Sequence, residues 1–188
     1  MDSHQLFDAD MLAQTLGFLP SPGLLLAAAS KSGHANVMTI GWATFGIVWN
    51  RPVCMVMIRP TRYTFALIEE SGAFTVNVPT PGMDDVLDFC GYNSGRDVDK
   101  IRALGLAFSP AKMTDNVSLD DCSLTYECRV VGKHDLSPKT LAEDVLLNHY
   151  RGGAQEGNYH RIYVGEILNI QKRGDTAGNN NSKTPRIR

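Results

Sequence analysis

Two short stretches hold the side chains best suited to gripping an anion. The first is Arg59-Pro60-Thr61-Arg62-Tyr63-Thr64. Pro60 closes the apolar run from Val53 to Ile58, and Thr61 is placed to cap a helix running from Thr64 to Ser71. Unpaired N–H groups at that helix start, together with the positive end of its dipole, suit a phosphate, and Arg59 and Arg62 add forked, charged donors. A capped helix with two solvated arginines has the same signature, so the stretch by itself leaves both readings open. The second stretch is Tyr92-Asn93-Ser94-Gly95-Arg96-Asp97, with Lys100 just beyond. It offers Ser94, the Gly95 amide, Arg96 and Lys100 as further phosphate donors, although Ser-Gly ahead of Asp97 is equally a route into another helix.

A flat ligand has its own candidate surface. Asn36-Val37-Met38-Thr39-Ile40-Gly41-Trp42-Ala43-Thr44 mixes β-branched, aromatic and small residues, and Gly41 and Gly46 permit close approach to the backbone. The alternative is a strand bent by glycines at a barrel corner, with Trp42 and Trp49 filling a core. Asn77 is polar inside the alternating run Phe74 to Pro79, where its amide either meets a ligand carbonyl or ties down a loop.

The elements that must position these groups are mostly strands. A short helix is expected from Asp8 to Gly17, then a buried strand at Leu24–Ala29 that turns at Lys31-Ser32-Gly33-His34 into the strand beginning near Asn36. Asn50-Arg51-Pro52 reads as a turn before a strand at Val53–Ile58. Gly72 ends the helix that follows the first anion stretch, and Asp84 to Cys90 forms another helix stopped by Gly91. After an irregular stretch come a long strand from Cys122 to His134, a short helix from Leu141 to Tyr150 and a last strand from Tyr159 to Gln171. Many strands, tight turns and few helices predict a mainly β fold, an antiparallel barrel with peripheral helices, not a doubly wound sheet.

Bulk properties narrow the function. The 188 residues suit one domain, 1–171, with a disordered tail from Lys172 to Arg188 that is rich in Gly, Asn, Lys and Arg. With 18 basic and 20 acidic residues and no long basic run, nucleic acid is not an expected partner. No apolar stretch is long enough for a membrane span and the start lacks a signal peptide's pattern, so a cytoplasmic protein is expected. Cys54, Cys90, Cys122 and Cys128 have no zinc-like spacing; Cys54 and Cys128 read as small buried side chains with reduced thiols, a redox or nucleophilic cysteine being the alternative. There is no G-x-G-x-x-G, no P-loop and no hydrolase pattern, so any nucleotide is held by another device.

Four blocks in order, Asn36–Trp42, Arg59–Thr64, Phe74–Pro79 and Ser94–Lys100, with the ending Tyr159-His160-Arg161-Ile162-Tyr163-Val164-Gly165-Glu166, resemble the flavin reductase-like, flavoredoxin-type family of FMN-binding split barrels. The resemblance spans about Pro20 to Gln171. It implies a Greek-key-like, homodimeric split barrel with FMN near the subunit interface. By it, Asn36, Met38, Thr39, Ile40 and Trp42 belong to the cofactor site, with the last four along the isoalloxazine ring. Arg59, Arg62 and Thr64 would hold the phosphate, Ser94, Gly95 and Lys100 would close over the ribityl phosphate arm, and Asn77 would lie near it. His160 takes the place of a histidine that faces the nicotinamide. The implied activity is electron transfer from NADH or NADPH through FMN to an acceptor, including a separate monooxygenase. Two other readings stay open: a flavin-binding electron carrier without a nicotinamide site, and a non-catalytic split barrel holding heme or another planar ligand.

Overall fold

Apolar alternation and tight turns give strands that share a single large sheet. A computed structural model describes residues 8–153 and 156–173. Helix α1 (Ala9–Gly17) is capped by Asp8, whose carboxylate accepts the Asp10 N–H at 3.0 Å. Strands β1 (Leu24–Ala29) and β2 (Ala35–Ile40) form one hairpin, and β3 (Ala43–Val48) and β4 (Arg51–Ile58) another. Then follow α2 (Tyr63–Ser71), β5 (Ala73–Val78), α3 (Asp84–Tyr92) and α4 (Lys100–Leu104). The chain ends in β6 (Phe108–Pro110), β7 (Val117–Leu119), β8 (Leu124–Asp135), α5 (Glu143–His149) and β9 (Arg161–Lys172).

Seven strands make an antiparallel sheet in the order β2-β1-β5-β8-β9-β4-β3, and β6 with β7 form a small second one. The mainly β architecture is the expected one. Met38 and Ile40 from one edge and Phe45 from the other pack on the same core as Phe74, Tyr126 and Tyr163, so the sheet curves around its contents. A second apolar cluster, including Leu25, Val37, Leu87, Cys90 and Leu119, seats α3 and the small sheet on the opposite face of β1 and β2. All four cysteines are buried and unpaired, and burial pushes the Cys90 and Cys122 thiols up to about 11 and about 12. No helix among the described residues is long and apolar enough to cross a membrane.

Several boundaries differ from the sequence reading for identifiable reasons. Asn36–Thr44 is two strands, because Gly41 packs so closely on Pro20 that an added Cβ would lie 2.8 Å from the Pro20 carbonyl oxygen. The second hairpin turns at Trp49-Asn50, both at positive φ (52° and 56°), so Arg51 and Pro52 already belong to β4. The stretch read as irregular contains β6 and β7. Residues 124–128 of β8 are all buried rather than alternating. The Glu127 carboxylate there, fully buried, accepts the Met113 N–H and the Asn169 amide, both at 2.7 Å. Lys172 still pairs with Leu124; of the tail expected to be disordered, 174–188 lies outside the described residues.

Gly165 sits opposite Cys54 and Val130 in the middle of the sheet, and a Cβ on it would meet the Phe74 ring at 2.5 Å and the Cys128 Cβ at 2.9 Å. Gly165→Ala is therefore expected to destabilise the fold by about 1–3 kcal/mol through overpacking, measured by urea unfolding. A neutral result would mean that this part of the core yields.

Candidate functional site

Two clefts meet beside the edge strand β2 and share Met38 and Arg62. The larger, about 380 Å³, is lined by Met38, Thr39, Ile40, Gly41 and Trp42, by Met57 and Arg59 of the β4 end, and by Arg62, Asn148, His149 and His160. The smaller, about 110 Å³, is lined by Asn36 and Thr61–Thr64 on one side and by Cys90, Gly91, Asn93, Ser94, Gly95 and Lys100 on the other. Together they form a wide, partly apolar chamber leading into a narrow polar one. β2 pairs with β1 alone, so its outer edge presents unpaired backbone donors and acceptors.

The narrow cleft is built by close contact. Asn36 is buried and its amide donates to the Thr64 hydroxyl at 2.8 Å, tying β2 to the first turn of α2. Gly95 lies against this pair: a Cβ there would stand 2.1 Å from Asn36 Oδ1 and 2.8 Å from the Tyr63 ring, so only glycine lets the Ser94-Gly95 loop approach. Ser94 Oγ accepts the Arg96 N–H at 3.2 Å, and the Arg96 guanidinium reaches the Thr61 carbonyl at 2.8 Å while lying over Tyr63. Lys100 is buried, with Nζ donating to the Cys90 and Asn93 carbonyls at 3.0 Å each; it closes the C-terminal end of α3 and keeps one further hydrogen. Burial lowers its pKa, Cys90 opposes that shift, and the charge of Arg62 adds to it.

The three basic residues therefore have different duties. Arg62 is exposed and its guanidinium has no hydrogen-bond partner among the described residues. It is also the backbone N-cap of α2, with no side-chain cap bond, so Thr61 does not cap as the sequence suggested; Thr61 Oγ1 instead accepts the Asn158 amide at 2.9 Å. Arg59, expected at the phosphate, is 9% exposed and lines only the wide cleft. Its guanidinium donates to the carbonyls of Asn158 and His149 and lies over the Tyr150 ring at 5.1 Å. It clamps the 149–158 segment.

In the wide cleft, Trp42 is 39% exposed and sits edge-on to His149 and tilted to His160, both at 5.1 Å between ring centres. The Thr39 hydroxyl is engaged with the Leu87 carbonyl, which ties β2 to α3. His160 is 8% exposed and its Nδ1 lies 2.8 Å from the Tyr150 hydroxyl. Burial first, then the charges of Arg59, Arg62 and His149, hold its pKa down to about 4, so the ring is neutral at pH 7.

Asn77 is not in either cleft. It is fully buried, its amide donates to the Leu25 carbonyl and Thr75 hydroxyl, and its oxygen accepts the Leu119 N–H and Thr125 hydroxyl. This corrects its placement near a ligand: it locks β7 onto the sheet. Met57, Asn148 and His149 line the wide cleft without having been singled out, and Tyr150 supports it from behind. Met57 was indistinguishable from a core methionine, and the 141–150 segment gave only a helix pattern.

The donor set fits a flat ring bearing a phosphate. The wide cleft has the size of a small-molecule site, about 300–1,000 Å³, with walls that mix polar and apolar side chains and a free strand edge. The narrow one offers Arg62, the first N–H groups of α2, Ser94 and the Gly95 amide, and no carboxylate lines either cleft. Residues 16–185 match the flavin reductase like domain. The chain belongs to that family, a class of flavin-related redox proteins. It is 32% identical over 119 residues to an uncharacterized protein of Archaeoglobus fulgidus, covering 63% of this chain and 67% of that one. An uncharacterized protein of Aeropyrum pernix is 27% identical over 152 residues, 75% of this chain and only 56% of the relative's length. A flavoredoxin from Methanosarcina acetivorans superposes with a TM-score of 0.62 at 28% identity, over 80% of this chain and 68% of that one. The fold is thus the split barrel of FMN-binding proteins.

The neutral His160 has a consequence for stability. Between its ordinary value of 6.5 and its folded value of about 4, the unfolded chain binds a proton that the folded one refuses. Stability is therefore complete above pH 6.5 and falls as pH drops through 4, by on the order of 3 kcal/mol. In His160→Asn this acid loss is expected to shrink by a comparable amount in pH-dependent urea unfolding; an identical slope would contradict a buried, neutral histidine.

Proposed function

We propose that the protein binds FMN across the joined clefts and carries electrons from NADH or NADPH through it to an acceptor, as a flavin reductase or flavoredoxin-like protein. The observation that supports this most directly is Arg62, an exposed guanidinium without a protein partner among the described residues, at the junction of a flat chamber and a donor-lined one. Bound there, FMN would supply hydride acceptance and onward electron transfer. The chain's own residues bind and orient. Arg62, the α2 N–H groups, Ser94 and the Gly95 amide hold the phosphate end. The backbone edge of Met38–Ile40, with Trp42 and Met57, seats the ring. His160 offers an uncharged polar contact on the nicotinamide side.

Like charge also favours an anion. Burial chiefly, with the charge of Arg62 adding to it, lowers the pKa values of Arg59, Lys100 and His160, and with no carboxylate lining the clefts a phosphate would relieve the repulsive part. Trp42, Ile47 and Trp49 are 39%, 52% and 66% exposed on or beside the edge strand β3, and we propose that a second copy of the chain covers them, next to the ring cleft. A cytoplasmic setting suits four unpaired thiols, and a monooxygenase or another acceptor protein would take the electrons. The likeness to a flavoredoxin favours a second reading, an electron carrier reduced by a partner protein rather than by nicotinamide.

Absorption spectra of the purified, FMN-reconstituted protein before and after anaerobic NADH or NADPH separate these readings. A retained flavin that bleaches supports the first reading, a retained flavin reducible only by a partner protein the second, and no retained flavin refutes both. Arg62→Ala is expected to weaken FMN binding by about 1.5–3 kcal/mol through loss of a charge-assisted bond, read by fluorescence titration. Unchanged affinity would remove Arg62 from the phosphate site.

A further inference from the structure

Behind the wide cleft lies a pair that flavin binding alone does not require. Tyr150 follows α5 and is 2% exposed; its hydroxyl lies 2.8 Å from His160 Nδ1 and has no other hydrogen-bond partner among the described residues. We infer that Tyr150 is a positioning residue that holds His160 as the Nε2–H tautomer, so that the cleft carries a fixed, uncharged N–H donor suited to a carbonyl oxygen.

The argument is one of counting protons. A phenol has one hydrogen, and a neutral imidazole has one N–H and one bare nitrogen. If Nδ1 carried the hydrogen, the Tyr150 oxygen would accept it and the phenol's own hydrogen would be orphaned in a buried site, the costlier arrangement. With Tyr150 donating to a bare Nδ1, the buried donor is satisfied and the imidazole hydrogen sits on Nε2. That nitrogen has no hydrogen-bond partner among the described residues, and His160 is part of the cleft wall.

The surroundings hold this arrangement from every side. Arg59 lies 5.1 Å over the Tyr150 ring and binds the backbone at His149 and Asn158, on both flanks of the pair. Burial raises the Tyr150 pKa and the Arg59 charge only opposes that rise, so the phenol keeps its proton and is available to donate it in a hydrogen bond. Tyr159 stacks on Tyr150 at 5.0 Å and 24°, and Trp42 leans on His160 from the cleft side. The charged and titratable groups acting on His160 are Arg59, Arg62, His149 and Tyr150, and none of them favours an imidazolium. The histidine is thus built to donate a hydrogen bond, not a proton, near neutral pH.

The inference rests on the proposed flavin site only for the identity of the acceptor; the tautomer stands without it. The test is a long-range ¹H–¹⁵N correlation of the histidine rings in the ¹⁵N-labelled full chain at pH 7, with and without FMN. The His160 signals are assigned by their loss in His160→Gln. Wild type is expected to show the Nε2–H form alone, and Tyr150→Phe, which keeps the ring packing, a mixture of tautomers. The same variant should lower the turnover of reduced nicotinamide by about three- to tenfold, the scale of one neutral hydrogen bond, with FMN affinity within about twofold of wild type. An Nδ1–H form in wild type, or a tautomer unmoved by Tyr150→Phe, overturns the inference. Failure of wild type to bind FMN overturns the flavin reading instead, while the tautomer spectra still decide the role of Tyr150.

Discussion

Between Ile40 and Ala43 the chain leaves one edge of the large sheet and begins the other, and Gly41 and Trp42 make the crossing. An antiparallel sheet closed on itself would satisfy both edges and leave no free strand for a ligand. Here closure is interrupted where the chain itself spans the gap. Gly41 makes this possible by pressing on the Pro20 carbonyl, a contact that leaves no room for a side chain. Because β2 remains an edge, its backbone can meet a planar polar molecule, and because β3 and β4 stand across the seam, Trp42 and Met57 form the other wall. Every other site residue is placed relative to this opening: α2 and the Ser94-Gly95 loop at one end, and the 149–160 segment at the other.

Three cations surround the opening, and burial separates what they do. Arg59 and Lys100 are almost wholly enclosed and donate to backbone carbonyls, so their charge is present while their geometry belongs to the loops they hold. Arg62 alone is exposed and uncommitted among them. Deleting either buried cation would leave carbonyl groups unsatisfied and loosen a wall of the cleft, whereas deleting Arg62 breaks no hydrogen bond of its guanidinium with the described residues.

The sequence pointed to residues that the fold brings to one candidate cleft. Asn36, Met38, Arg62, Thr64, Ser94, Gly95 and Lys100 come from three separate stretches, yet all line the narrow cleft, because each stretch joins donors to a turn or helix start. Composition and periodicity also gave the mainly β class. Burial of polar groups was not legible. Arg59 and Arg62 are three residues apart in one motif, and only tertiary structure shows that a clamp across 90 residues takes the first and leaves the second. Asn77 reads as a ligand contact or a loop tie with equal ease until the β7 backbone is seen beside it. β6 and β7 are three residues each, too short to carry a period; long-range bonds to Thr75 and Asn77 hold β7, and β6 pairs with β7.

Each cleft is lined by two cations, Arg62 with Lys100 at the narrow end and Arg62 with Arg59 at the wide one. The wide end sets Met38, Ile40, Trp42, Met57 and a neutral His160 beside Arg59, whose guanidinium is taken up by the His149 and Asn158 carbonyls. In such a low-dielectric wall, oriented N–H dipoles act more strongly than they would in water, and they act without the desolvation cost of a buried charge. A neutral His160 adds no further positive charge beside Arg59 and Arg62. Arg59 and Lys100 thus keep their charge beside the clefts while their hydrogen bonds go to backbone carbonyls, and Arg62 faces both clefts with its guanidinium free of hydrogen bonds to the described residues.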